Sequence, residues 1–214
     1  MQRGVRYMNV IRLTLGFMHT NCYIVYGEDK KAVVIDPAFS PDVIKKALNE
    51  KGLILDKILL THAHFDHIMA VQALRDNGVK VYIHIEDEEM LYDSEKNCSF
   101  EFTGRELEIE KAEHLITDGD MIEVGDEKLT VYHTPGHTKG SVCYISDEYI
   151  FSGDTLFKDG VGRWDLYGGN YNTLMCSLKR LKDLEKDYTV LPGHGDMTTL
   201  NNEKNDNIYM KTLR

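Results

Sequence analysis

At 214 residues, with a formal net charge of −10 counting histidine as neutral, the chain is long enough to bury one sizeable core, and no Pro-, Gly- or Ser-rich linker divides it. It has no cluster of Lys and Arg able to track a phosphate backbone, which argues against nucleic acid as a substrate. Arg3, Arg6 and Arg12 lie near the amino terminus, but the apolar stretches there are broken every few residues, so neither a signal peptide nor a membrane span is read. Cys22, Cys98, Cys143 and Cys176 are widely spaced and form no CxxC, which fits a reducing cytoplasm with Cys22 and Cys143 as buried strand residues. In that setting the sequon Asn97-Cys98-Ser99 carries no meaning.

Residues Met1 to Tyr7 precede the first periodic segment and read as a flexible or alternative start. Val10 to Leu15, Cys22 to Tyr26 and Lys31 to Ile35 are predicted strands, β-branched and bounded by Gly16, Gly27 and Pro37, so a meander opens the domain. Pro41 to Asn49 is a predicted helix with Ser40 as N-cap, Pro41 at its first position, a stripe of Val43, Ile44, Ala47 and Leu48, and Gly52 closing it. Lys57 to Leu60 is a predicted strand. Beyond it, Ile68, Val71 and Leu74 recur at helical spacing as far as Asn77-Gly78. Val79 to Ile83 reads as a strand and Glu86 to Tyr92 as a short helix, after which Asp93 to Thr117 loses all pattern and is expected to form a mobile segment over the site. Met121 to Val124, Leu129 to His133, Val142 to Ile145 and Tyr149 to Phe151 form a second run of strands, joined by turns at Gly125-Asp126 and Ser146-Asp147. Leu174, Leu178, Leu181 and Leu184 mark an amphipathic helix, and Thr189 to Leu191 a last strand. Strands punctuated by helices in both halves suit two central sheets flanked by helices, an α/β architecture.

Between the strand ending at Leu60 and the helical spacing that follows lies Thr61-His62-Ala63-His64-Phe65-Asp66-His67. Imidazole and carboxylate are the usual ligands of zinc and of borderline metals such as iron and manganese, and a hydrophobic core has no use for several together. In an extended stretch His62, His64 and Asp66 project to one face, while His67 swings round as the helix begins. Two further histidines follow abrupt Pro-Gly corners, His137 after Pro135-Gly136 and His194 after Pro192-Gly193, and Asp154 follows Gly153 at the end of an apolar run. Five histidines and two aspartates exceed one tetrahedral zinc and suit two adjacent metals that share a carboxylate and a water. Asp36, at the end of its strand, is a candidate carboxylate for holding a metal-bound imidazole from behind. His84 and His133 read as strand-end residues or as supports of the ligands, His19 and His114 as surface or loop residues.

The HxHxDH cluster followed by a later His, an Asp and a final His resembles the metallo-β-lactamase superfamily, and the resemblance spans nearly the whole chain. It implies a metallo-β-lactamase-like αββα sandwich over residues 1–214 as a single domain, with His62, His64 and His137 as ligands of a first metal, Asp66, His67 and His194 of a second, and Asp154 bridging. Gly153-Asp154-Thr155-Leu156-Phe157 followed by Gly160-Val161-Gly162-Arg163 looks like the glyoxalase II group, and Gly162-Arg163-Trp164-Asp165 resembles its short bacterial members and the related persulfide dioxygenases. Arg163 matches a basic residue that contacts glutathione in the long glyoxalase II enzymes, whereas Asp165 and Asp196 stand where those enzymes have tyrosines, and their C-terminal helical glutathione-binding domain has no counterpart in the chain.

The resemblance implies two divalent ions, zinc first with iron or manganese as alternatives, a bridging hydroxide as nucleophile, and Asp66 orienting it or taking its proton. The expected function is a cytoplasmic thioesterase of the hydroxyacylglutathione hydrolase type acting on a small-molecule thioester, away from membranes and nucleic acids. The alternative is a persulfide dioxygenase with one iron at His62, His137 and Asp154, and a lactone or phosphoester hydrolase comes third.

Overall fold

The computed structural model describes residues 8–75 and 78–213. Strands β1 (Asn9–Leu15), β2 (Thr20–Tyr26) and β3 (Lys31–Ile35) pair antiparallel as the expected meander. β2 is buried along nearly its whole length because it is covered on both faces, which is why its sequence reads as an apolar run. Helix α1 (Pro41–Glu50) then crosses to β4 (Ile54–Leu59); short helices α2 (Phe65–Ile68) and α3 (Val71–Leu74) cross to β5 (Lys80–His84), and a 3-10 helix (Ile85–Tyr92) and α4 (Ser99–Thr103) lead to β6 (His114–Ile116). β4 to β6 add in parallel, completing a mixed sheet in the order β1 to β6.

The second sheet is built from β7 (Met121–Val124), β8 (Glu127–His133), β9 (Val142–Ile145) and β10 (Tyr149–Gly153). A ribbon of β11 (Leu156–Phe157) and β12 (Gly160–Val161) and the helix α5 (Tyr171–Lys182) come next. β13 (Thr189–Pro192), parallel to β10, β14 (Thr198–Thr199) and α6 (Leu200–Asp206) complete it. Three apolar clusters mark the layers: one under α1 to α3 around Ile44, Leu48 and Ile68, one between the sheets around Tyr23, Tyr144 and Phe151, and one under α5 and α6 around Leu174, Leu178 and Leu200. Fully burying a side chain such as Phe151 or Ile24 contributes about 1.5–3 kcal/mol, so these clusters hold the four layers together. The expected αββα sandwich is the observed fold. Two tyrosines tie the sheets directly, Tyr23 Oη donating to the Pro192 carbonyl at 2.7 Å and Tyr144 Oη to the Leu60 carbonyl at 2.8 Å.

Several local expectations need correction. Ser40 precedes α1, but it sits at φ 52° and its side chain makes no capping bond; its carbonyl accepts from Val43 and Ile44 instead. Val43 is 44% exposed and lies off the buried stripe of Ile44 and Leu48. The helical spacing after the histidine cluster is two four-residue helices, because Ala70 N–H leaves the helical ladder to reach the Pro37 carbonyl at 2.9 Å. The segment expected to be mobile contains α4 and β6 and is pinned by buried Asn97, which donates to the Met90 and Leu107 carbonyls and accepts from Ser99 N–H, each at 2.9 Å. His114 is a strand residue stacked on Tyr82. The start at Met1 to Tyr7 and Asn77 of the predicted turn lie outside the described residues.

Candidate metal centre

The ends of strands from both sheets meet at one edge of the sandwich. From the first sheet, the chain leaves β4 through Thr61 and stays extended to His64, so His62 and His64 share a face as predicted. Helix α2 begins at Phe65, one residue earlier than alternation allows, and Asp66 and His67 both arrive from its first turn. From the second sheet come His137 after β8, Asp154 after β10 and His194 after β13. Two groups could each hold an ion, His62 with His64 and His137, and Asp66 with His67 and His194, the ligand atoms of each within 4.8 Å of one another.

Asp154 faces both groups. Its Oδ1 lies 3.4 Å from His67 Nε2, and its Oδ2 lies 3.5 Å from His194 Nε2 and 3.6 Å from His137 Nε2. Glycines let the backbone pass this close: a Cβ on Gly193 would stand 2.2 Å from Asp154 Oδ1, and one on Gly162 would stand 1.8 Å from the Asp154 carbonyl oxygen.

A second set of residues aims the first. Asp36, itself at φ 51°, accepts from Thr61 N–H at 2.8 Å, Thr61 Oγ1 at 2.6 Å and His67 Nδ1 at 2.9 Å, so His67 Nε2 is turned toward the site. Asp36, His62 and His67 also lie close enough for a third grouping, but the Asp36 oxygens are already occupied by these donors, and it acts from behind His67. Thr20 Oγ1 donates to Asp66 Oδ2 at 2.8 Å, His194 Nδ1 donates to the Met18 carbonyl at 3.2 Å, and His137 Nδ1 donates to the Arg163 carbonyl at 2.6 Å. Deeper in, the buried carboxylate of Asp87 accepts from Thr138 Oγ1 and Gly140 N–H, both at 2.6 Å, and from the Ala63 backbone, which clamps the His62–His64 strand to the His137 turn. Sequence reasoning found Asp36 but missed Thr20, Asp87 and the two carbonyls, since backbone acceptors leave no mark in a sequence.

The charge balance suits a cation at both groups: one presents neutral nitrogens, and the carboxylates around the other draw positive charge to it. Burial, then neighbouring imidazoles, pushes His62 well down and His64 to about 3; burial also lowers His137, so this group presents neutral nitrogens. Burial also opposes charge on His67, but Asp66, Asp154 and Asp36 outweigh it and raise His67 well above its usual value; Asp154 and Asp66 do the same for His194. Against the upward push of burial, His67 and His194 hold Asp66 at about 2, and they hold Asp154 well below its usual range. Among the described residues, the buried side-chain nitrogens and oxygens without a hydrogen-bond partner are His62 Nε2, His64 Nε2 and Asp154 Oδ1. Each such orphan costs about 1–3 kcal/mol, a cost that metal coordination at this site would remove for His62 Nε2 and Asp154 Oδ1, while His64 faces His137 Nε2 through Nδ1 at 2.9 Å.

The groups open into a cavity of about 270 Å³ whose apolar wall includes Met18, Phe65, Phe102, Phe157 and Leu166. Arg163 lines it too, exposed and paired through Nε and Nη2 with Asp165 at 2.7 and 2.9 Å. His84 and His133 are strand-end residues as expected, but they stack on each other at 3.9 Å and support none of the ligand-like side chains.

This fold and site define a class. The chain belongs to the metallo-β-lactamase superfamily, whose model matches residues 15–194, and it is a metal-dependent hydrolase of that superfamily. Among curated relatives, the probable metallo-hydrolase YqgX of Bacillus subtilis is 37% identical over 93% of this chain and 96% of its own length. The hydroxyacylglutathione hydrolase GloC of Haemophilus influenzae is 29% identical over 96% of this chain and 99% of its own. Among solved structures, the B3 metallo-β-lactamase BLEG-1 superposes with a TM-score of 0.90 at 38% identity, covering 94% of this chain and 99% of that one. TTHA1623 in a di-iron-bound form gives 0.82 at 35%, covering 94% and 100%. ETHE1 from Myxococcus xanthus gives 0.77 at 29%, covering 94% and 84%. Among the described residues no helix is long and apolar enough to cross a membrane.

Proposed function

We propose that the protein is a cytoplasmic thioesterase of the hydroxyacyl-thiol type, acting on a small-molecule thioester. His62, His64 and His137 would hold one divalent ion and Asp66, His67 and His194 a second, with Asp154 shared between them. When bound, the ions, zinc in this reading, supply a water ionised near neutral pH and stabilise the charge that develops on the substrate carbonyl oxygen. Asp66, held at about 2 and fixed by Thr20 Oγ1, stays ionised and orients the attacking water. The apolar wall of Met18, Phe65, Phe102 and Leu166 keeps other water from the carbonyl.

The observation that carries the choice of thioester is the lack of an acid. Among the described residues, and apart from the ligand-like ones, the titratable side chains of the cavity are Arg163 and Cys98, and the Cys98 thiol is pushed up by burial and donates to the Lys96 carbonyl at 3.6 Å. A leaving group that needs a proton finds no acid here outside the ligand-like residues, whereas a thiolate departs without one. The likeness to a hydroxyacylglutathione hydrolase supports this reading; the likeness to a B3 metallo-β-lactamase makes a cyclic amide the competing substrate, and the di-iron neighbour makes iron the competing metal. A one-iron dioxygenase would give Asp66, His67 and His194 no task, although Thr20, Asp36 and the Met18 carbonyl each hold one of them in place.

Elemental analysis of the purified protein, run beside assays of S-lactoylglutathione hydrolysis, chromogenic cephalosporin hydrolysis and thiol-dependent oxygen uptake, tests the proposal. Thioester hydrolysis should dominate and scale with metal content; dominant oxygen uptake with a single iron overturns it.

A further inference from the structure

Phe65 separates the metal cavity from a second one of about 420 Å³, lined by Phe17, Phe65, Met69, Ser99, Thr103 and Leu107, with the charged Arg105 and Glu106 also in its wall. The two share Phe65, and aromatic rings run across the division. Phe102, which lines the metal cavity, stacks on Phe65 at 5.7 Å, and Phe17, which lines the second, stacks on Phe65 at 6.3 Å. The turn between β1 and β2 divides its residues in the same way, Phe17 going to the second cavity and Met18 to the metal cavity.

That turn is fixed. Gly16 sits at φ 70°, and a Cβ there would stand 2.1 Å from the Phe39 ring, which itself packs edge-on against Phe17 at 5.3 Å. Phe17 is therefore held in position although it is 61% exposed, and an exposed apolar surface held in this way beside an active site calls for a ligand.

The chemistry of the second cavity selects its guest. Ser99 Oγ accepts from Leu107 N–H at 3.1 Å and donates to the Ser94 carbonyl, while Thr103 Oγ1 donates to the Ser99 carbonyl at 2.7 Å and accepts from Arg105 N–H at 3.1 Å. Both hydroxyls are used within the chain. They leave the carbon surface of Phe17, Phe65 and Leu107 and the Met69 thioether as the larger part of the wall, beside Arg105 and Glu106, and a hydrocarbon guest gains most from burying against that part.

We propose that this groove is the acyl subsite of the enzyme, taking acyl thioesters whose acyl part is an unbranched, medium-length hydrocarbon chain running past Phe65 toward Phe17 and Met69. The thiol part is left to the Arg163 region of the metal cavity. This inference rests on the thioesterase reading above and deepens it.

The test is a series of N-acetylcysteamine thioesters from acetyl to octanoyl, assayed with the metal-loaded enzyme and with Phe17→Ser and Met69→Gln. Burying a methylene is worth up to about fourfold, so the octanoyl-to-acetyl ratio of kcat/KM should be at least about tenfold in the native enzyme and fall toward one in both variants. Separately, methyl-labelled methionine NMR of the metal-free protein should show the Met69 resonance moving with octanoate but not with acetate, while exposed Met121, at the start of β7, stays still. Hydrolysis of the whole series with a flat ratio, or a ratio that both variants keep, overturns the acyl subsite and leaves the thioesterase reading standing. Failure to hydrolyse any member overturns the thioesterase reading. In that case an unmoved Met69 resonance overturns the groove as a site for hydrocarbon chains as well.

Discussion

Replacing Asp36 by asparagine changes little but a charge, and the structure says where the change is felt. Asparagine tolerates the left-handed φ of 51° found at this position, so the backbone has no reason to move. Its amide nitrogen must occupy one of two places. At Oδ1 it would face Thr61 N–H, donor against donor, so the nitrogen goes to Oδ2, where Thr61 Oγ1 can turn to accept and His67 Nδ1 must accept as well. An imidazole that accepts at Nδ1 carries its proton on Nε2, the atom that lies 3.4 Å from both Asp154 Oδ1 and His194 Nε2, and it has no lone pair left for a metal. Losing a hydrogen bond to a charged group costs about 1.5–3 kcal/mol, or roughly 10- to 150-fold, which agrees with the roughly 10- to 100-fold typical of residues behind a ligand histidine. Zinc titration against a chelating competitor should therefore show the Asp66–His67–His194 group weakened by about 10- to 100-fold, and weakened more than the His62–His64–His137 group, which Thr61 Oγ1 reaches only through His62 Nδ1 at 3.1 Å. Native affinity in both groups, or equal loss in both, would refute the reasoning.

Asp154→Ala should lower metal content in both groups and His194→Ala in one, read as the metal-to-protein ratio after gel filtration. Asp165→Ala releases the Arg163 guanidinium, so KM for a thioester whose thiol carries a carboxylate should fall a few-fold at most, this being an exposed pair; Arg163→Ala should raise KM with kcat little changed, because His137 is held by the Arg163 backbone carbonyl. Asp87 is raised to about 6 by burial, against the hydrogen bonds from Thr138, Gly140 and Ala63. A carboxyl whose folded value is raised contributes stability that is full below its unfolded value near 3.8 and is lost as pH rises through about 6. Between pH 4 and 7 the stability of Asp87→Asn relative to the native protein, measured by urea unfolding, should thus shift in favour of the variant; a pH-independent difference would count against a buried ionised Asp87.

The parts of the site that could be read in advance are those whose chemistry lies in adjacent residues: the imidazoles of residues 61–67, the Pro-Gly corners before His137 and His194, and the glycine turn before Asp154. The two-sheet fold followed from β-branched runs such as Val33 to Ile35 and from the leucine spacing of α5. What was misread depends on distant partners. Helix α2 begins at Phe65 because its N–H donates to the carbonyl of Asn97, more than thirty positions away, and Asn97 in turn orders a segment that shows no periodicity. Thr20 is an ordinary threonine at the start of β2 until Asp66 is brought to 2.8 Å from it.

The two tyrosine ties end in informative places. Tyr144 reaches from the second sheet to the carbonyl of Leu60, two residues before His62, and Tyr23 reaches from the first sheet to the carbonyl of Pro192, two residues before His194. Each sheet thus steadies the loop by which the other delivers ligands. A slip of one sheet over the other by a single strand residue, about 3.3 Å, would carry His137, Asp154 and His194 away from the histidines they face. The metal centre therefore gauges the alignment of the sandwich, and damage to the inter-sheet core far from any ligand is felt first as a change in coordination.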